Sequence, residues 1–415
     1  MSISINSNYS SPISPRIFMN RVLVFALTLS LVQVTYILFF TILDFINIIT
    51  WFIFYLIILP MILMLREYSF KTSGFTHINW KLIVTVLVIS LTFKIIGRLD
   101  YFTVWMEYGL RESRLHGGSS VAKYSTYFSV FFYPFAIIAS FLTMPKKTFS
   151  LVKVMVFIVI VLDMWLIGGR NAPIFVLLFY LLTVRSSFFE FKKIALIGLL
   201  FILIVYQFSY STIGRVGEDF RESFNWVTLI IDTGSAEILK PDKNVLLLFS
   251  ELSFFYPLIF LAHYVSHSIA ELAYTIQYGE IDTVNLVYTF DQFCIITSDC
   301  IRSESLKSIE SVNSRFNVYG TIFNTLLYDI GIALTGLLIF CLYLYIIGVT
   351  FYKKNIHTRN KFPIGVAFFS VILMVSGVEN YTYNGIGLIP SLIVIIISII
   401  FPIISRFSYT AKHKL

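Results

Sequence analysis

LDMWLIGGRNAPIFVLLFYLL, residues 162 to 182, is two apolar runs joined by only four residues, Gly168, Gly169, Arg170 and Asn171. Asp163 lies inside the first run and Pro173 opens the second. Proline suits the first turn of a helix, where its missing N–H costs nothing. So short a join turns the second run back beside the first. The stretch reads as a hairpin of two membrane helices with a permanent cation at its tip.

Such runs recur along all 415 residues, which are 57% hydrophobic and only 13% charged. A soluble domain carries roughly 25% charged residues. The runs are continuous rather than alternating, which excludes a β-barrel and leaves helices. Using ~20 apolar residues per crossing, the spans read as 22–43, 45–65, 82–97, 124–143, 151–167, 172–184, 194–213, 330–351, 362–378 and 387–404. The sixth is short and begins inside GGRN or tilts. The expected fold is all-α: one polytopic membrane domain over 1–415 with about ten transmembrane helices, up to twelve. Residues 1–16 are polar and read as a disordered, cytoplasmic N-terminus without a cleavable signal.

The net charge of +8 is a topology signal here, not a nucleic-acid footprint. With the N-terminus inside, the cytoplasmic segments hold 18 Lys and Arg, and the short outer segments hold five: Arg98, Arg111, Arg114, Lys123 and Arg170. That bias puts both termini in the cytoplasm. Residues 214–317 form a large outer loop with 14 acidic and seven basic residues. Within it, residues 244–267 are apolar enough to lie in the interface or dip into the membrane. No repeat is visible, which weighs against the paired halves of a transporter.

Cys294 and Cys300 fall in the outer loop, where a disulfide and two free thiols are equally open. Cys341 reads as a small core residue of span eight. No nucleotide loop and no Asp-x-Asp pair is present. An enzyme of this kind would take a donor already held in the membrane, with no metal and no cofactor.

Cations gather on the outer side. Lys94 and Arg98 share a helix face at i and i+4, and Arg170, Arg215 and Arg315 each border a span. RESRLHGGSS, residues 111–120, reads as a solvated loop. Arg170 is different, because there is almost no loop for it to fill. Gly168 and Gly169 allow close backbone approach, and the N-terminus of the next helix adds a positive dipole end. The corner suits an anion; the structural alternative is an ion pair with Asp163, about two turns back. His263, His267 and Glu271 are spaced by four on one helix face. They suit activation of a hydroxyl, weakly suit a metal, or simply form the wet face of an interfacial helix. Arg315, Asn317 and Tyr319 precede a span interrupted by Asp329. GVENYTYNG, residues 377–385, is a tight outer turn with Glu379 and two tyrosines.

The G-G-R-N turn, the large outer loop with its Y-x-S-H helix, and the R-x-N-x-Y segment followed by Y-D-I-G resemble the O-antigen polymerase (Wzy) group of oligosaccharide repeat-unit polymerases. The resemblance covers the layout of essentially the whole chain, while the motifs themselves are short. It implies a glycosyltransferase of lipopolysaccharide or similar polysaccharide biosynthesis. Such an enzyme joins undecaprenyl-pyrophosphate-linked units at the periplasmic face of the bacterial inner membrane. It implies Arg170, Arg315, Arg98 and Arg215 on the pyrophosphate and His267 or Glu271 near the acceptor hydroxyl. Asp163, Asp329 and Tyr319 would orient them. The implied partners are the lipid-linked oligosaccharide as donor and acceptor, the bilayer, and a chain-length regulator, with no nucleic acid. The alternatives are an O-antigen ligase and a non-enzymatic flippase.

Overall fold

Ser14 and Pro15 start the first helix early. The Ser14 hydroxyl accepts the Ile17 amide at 3.3 Å, and proline takes the first helical position. The computed structural model describes residues 9–10, 13–116, 129, 131–166, 171–184, 205, 225–232, 238–249, 255–278, 321–352, 361–378, 393–394 and 396–397. These residues are mostly helical. The helices are α1 (Pro15–Phe39), α2 (Phe45–Phe70), α3 (Trp80–His116), α4 (Phe132–Ser140), α5 (Lys146–Leu166), α6 (Asn171–Leu182), α7 (Trp226–Asp232), α8 (Lys243–Leu248), α9 (Tyr256–Tyr278), α10 (Ile322–Tyr352) and α11 (Ile364–Val375). Strands β1 (Tyr9–Ser10) and β2 (Met144–Pro145) pair antiparallel.

Among the described residues, four helical segments are long and apolar enough to cross a membrane: Pro15–Phe39, Phe45–Phe70, Trp80–Glu107 and Leu326–Gly348. The described part of the chain is therefore mostly helical and of membrane character. The N-terminal stretch corrects the expectation of disorder in part, because Tyr9 and Ser10 pair with β2 and Ile13 is buried. Span one begins and ends earlier than its apolar run. After α1, the Ile42 amide donates to the Lys240 carbonyl at 2.8 Å and the Asp242 amide to the Phe40 carbonyl at 2.9 Å. Those peptide groups are spent on a distant segment rather than on a further helical turn.

α3 is longer than expected. Residues 111–116, read as loop, continue the helix, since no glycine or proline breaks it between Arg111 and His116. α6 does start inside GGRN, at Asn171, with Pro173 in its first turn. Spans seven and ten lie outside the described residues apart from isolated positions. So do Cys294, Cys300 and the turn beyond Val378. Cys341 is not a core residue: it is exposed on α10 beside exposed Leu337, Leu338 and Phe340. That apolar outer face is what a membrane span presents to lipid.

At one end of the bundle, α1, α3, α5 and α11 begin and α2 finishes. Phe18, Phe75, Phe141 and Phe362 interlock there, with ring centroids 4.7 Å apart for Phe75 and Phe141 and 5.2 Å for Phe18 and Phe141. The Thr76 amide donates to the Phe362 carbonyl at 3.0 Å, tying the α2–α3 turn to the start of α11. Arg16 and Arg66 each lie 4.7 Å from the Phe70 ring. These rings form an aromatic floor across that end of the bundle.

Span eight was read as 330–351. The helix begins at Ile322 instead and breaks at Gly331, where φ is 74° and ψ 176°. L-residues reach that positive φ only at a cost of roughly 1–2 kcal/mol, which explains glycine there. The break has a price at Thr335. Helical threonines in this chain donate four residues back, as Thr28 does to the Val24 carbonyl at 2.9 Å and Thr275 to that of Glu271 at 2.8 Å. The matching acceptor for Thr335 is Gly331, whose carbonyl the break turns aside. Its buried Oγ1 has no hydrogen-bond partner among the described residues. Thr335→Val should therefore raise stability, by about 1 kcal/mol, read as a higher midpoint in thermal unfolding of the purified protein.

Candidate functional site

Among the described residues, the buried acids, lysine and histidines gather in two groups away from the aromatic floor, one around Asp163 and one along α9. At 1.5 Å per residue, Lys94 lies about 21 Å along α3 from Trp80 and Asp163 about 26 Å along α5 from Lys146. The spacing of Lys94 and Arg98 puts both on one face of α3, and that face packs on α5. Lys94 Nζ is 2.8 Å from Asp163 Oδ2, and Arg98 Nε is 2.9 Å from Oδ1. The Tyr133 hydroxyl on α4 also donates to Oδ2, and its ring centroid lies 4.4 Å from the Lys94 ammonium. Lys94 and Asp163 are buried, and Arg98 is slightly open.

Asp163 was expected either to orient Arg170 or to pair with it. Its observed partners come from α3 and α4, and both carboxylate oxygens are engaged. Arg170 lies outside the described residues. Among the described residues the cluster holds two basic side chains and one carboxylate, an excess of one positive charge in apolar surroundings. Such an excess is costly without a counter-charge. Arg98 spends Nε on Asp163, and its terminal amino groups carry the other four of its N–H donors. That is chemistry for a phosphate oxygen.

The second cluster runs along α9. His263, Ser266, His267, Ser268, Glu271 and Thr275 are all buried, whereas Leu258 and Ile276 are exposed at 36% and 56%. The reading of a wet face on an interfacial helix is overturned. The polar stripe points into the bundle, against α1, α2 and α10; apolar Ile259, Phe260, Ile269 and Leu272 are buried as well, so α9 is almost wholly enclosed. A polar stripe turned inward is what lipid demands.

His267 Nε2 and Glu271 Oε1 are 3.1 Å apart, one turn along the same face. His263 Nδ1 meets the Tyr36 hydroxyl at 2.8 Å. Gln33 on α1 fastens the stripe: its amide donates to the Val265 carbonyl at 2.6 Å and the Gly377 carbonyl at 2.7 Å. Tyr55 donates to its oxygen at 2.6 Å. A β-carbon at Gly377 would sit 3.1 Å from both Phe54 and Tyr55, so any larger residue would push those rings aside by a few tenths of an ångström. Ser268 donates to the Val378 carbonyl. Below Glu271, Thr275 receives the Asn324 amide at 3.1 Å and lies 3.3 Å from the Tyr328 hydroxyl. Asp329 is buried in the same first segment of α10.

Of the sequence-chosen residues, the structure joins His267 to Glu271 and Arg98 to Asp163. Arg215, Arg315 and Tyr319 lie outside the described residues. Sequence reasoning passed over Tyr133, Gln33, Tyr36, Tyr55 and Asn324. The amides had a signal, since Gln33 and Asn324 interrupt runs that are otherwise apolar. The tyrosines had none, because tyrosine is ordinary in such runs. Among the described residues no three His, Cys, Asp or Glu side chains converge as metal ligands. Compared with protein-family models, curated proteins and solved structures, the chain matches none.

Proposed function

We propose that the chain is a polymerase of undecaprenyl-pyrophosphate-linked oligosaccharide repeat units, working at the periplasmic face of the bacterial inner membrane. The reading includes about ten spans with both termini cytoplasmic and residues 214–317 outside. The observation that carries it is the surplus cation of Lys94, Arg98 and Asp163, buried away from the floored end. A lipid pyrophosphate is an anion that arrives at this depth with its own membrane anchor. Arg170, Arg215 and Arg315 would add to its binding.

In the reaction, the acceptor hydroxyl oxygen bonds to the anomeric carbon of the growing chain while the bond from that carbon to the pyrophosphate oxygen breaks. The hydroxyl proton passes to the Glu271 carboxylate, with His267 at 3.1 Å to share it. The leaving pyrophosphate takes the electron pair and is held by the cations. Asp163 positions Lys94 and Arg98 rather than reacting. The aromatic floor supports access from one side only, which favours transfer over carriage across the bilayer.

Deletion of the gene, followed by a gel of lipopolysaccharide, tests the reading. Core capped with a single repeat unit is expected. Bare core would instead indicate a ligase, and lipid-linked units accumulating on the cytoplasmic face a flippase. Arg170→Ala and Arg315→Ala proteins that insert and still polymerise would remove those two residues from the pyrophosphate site.

A further inference from the structure

A cavity of about 520 Å³ lies between α7, α8 and the first turn of α9. It belongs to neither buried cluster. It sits at the end of the bundle opposite the aromatic floor, because residues 240 and 242 are hydrogen-bonded to the chain just beyond α1. Val227, Ile231 and Leu247 give it apolar wall, and Asn225, Thr228, Lys243 and Tyr256 give it polar groups. The Asn225 side-chain oxygen accepts the Val227 amide at 2.8 Å, so its NH₂ is the part left to donate. The Tyr256 hydroxyl donates to the Leu246 carbonyl at 3.0 Å, so toward the cavity it accepts. The Thr228 hydroxyl does either. Donors and acceptors together beside an apolar wall suit a ligand with several hydroxyls and one apolar face, which describes a pyranose ring. Among the described residues of the lining, Lys243 is the one that carries charge.

We infer that this cavity is a subsite for one acidic sugar of the repeat unit, its carboxylate held by Lys243. The inference rests on the polymerase reading for where the sugar comes from, not for the fit. Its position on α9 gives it a role. Tyr256 forms one wall, and His267 lies eleven residues further on, about 16 Å along the same helix. The subsite reads sugar identity at a distance from the bond being made. One rigid helix then joins recognition to the acid–base pair.

The test uses the full-length protein in lipid nanodiscs, titrated with methyl β-glucuronide and with methyl β-glucoside. Saturation-transfer NMR reports the ligand, and tryptophan fluorescence reports Trp226 beside the cavity. The uronide should bind about tenfold more tightly, the discrimination of one charge-assisted hydrogen bond. Lys243→Gln should abolish that preference. Lys240→Gln, a change at an exposed lysine outside the lining, should keep it. Equal binding of the two sugars by the unaltered protein would overturn the subsite, and so would a preference that survives Lys243→Gln. Uronide preference together with a bare-core deletion phenotype would keep the subsite and discard the polymerase. A single-repeat phenotype without uronide preference would do the reverse.

Discussion

Asp163→Ala should cost about 3–5 kcal/mol of stability, the scale of a buried ion pair stripped of one partner. It leaves the Lys94 ammonium and the Arg98 guanidinium side by side with no carboxylate between them. Lys94→Met should behave oppositely. It removes the surplus charge and leaves Arg98 and Asp163 as a neutral pair, so the midpoint of thermal unfolding should hold or rise. If the surplus serves an anion, the same Lys94→Met protein folds well and makes little polymer. Thermal unfolding of the purified variants and gels from complemented deletion cells separate the two effects. Equal destabilisation by both substitutions would show that charge balance does not govern the cluster.

Glu271→Gln should reduce polymerisation by roughly 10²–10⁴-fold, the usual contribution of a positioned acid–base group. Volume and the hydrogen bond toward His267 are retained, since the amide oxygen accepts as the carboxylate does. Protein level and unfolding midpoint should therefore stay near those of the unaltered chain. Rates of polymer formation from purified lipid-linked units provide the measurement. A Glu271→Gln enzyme at full rate would leave the pair a structural contact only.

Much of the architecture was legible because lipid is a strict solvent. A run such as residues 45–65 has no stable form in a membrane except a helix, and α2 is there. What sequence misjudged lay where tertiary contacts decide. α1 ends early because residues 40–42 are claimed by residues 240–242, which no local pattern reveals. The helical spacing of His263, His267 and Glu271 was visible, but not which way that face pointed, since periodicity marks a polar stripe without saying whether water or protein covers it. The site was half legible for the same reason. His267 and Glu271 are partners by spacing, so their contact could be anticipated. Asp163 was matched to the nearest cation in sequence, whereas its cationic partners sit on α3, 65 residues away from it in the case of Arg98.

Gln33 sets a timetable for synthesis. Its tyrosine partner follows 22 residues later, but the carbonyls it bonds come 232 and 344 residues after it. At roughly 5–20 residues per second, Tyr55 arrives within about 1–4 s of Gln33 and Gly377 only after about 17–70 s. Through that interval α1 and α2 wait as a hairpin with an amide half satisfied in lipid. The molecule closes around its polar stripe only when the last helices leave the ribosome.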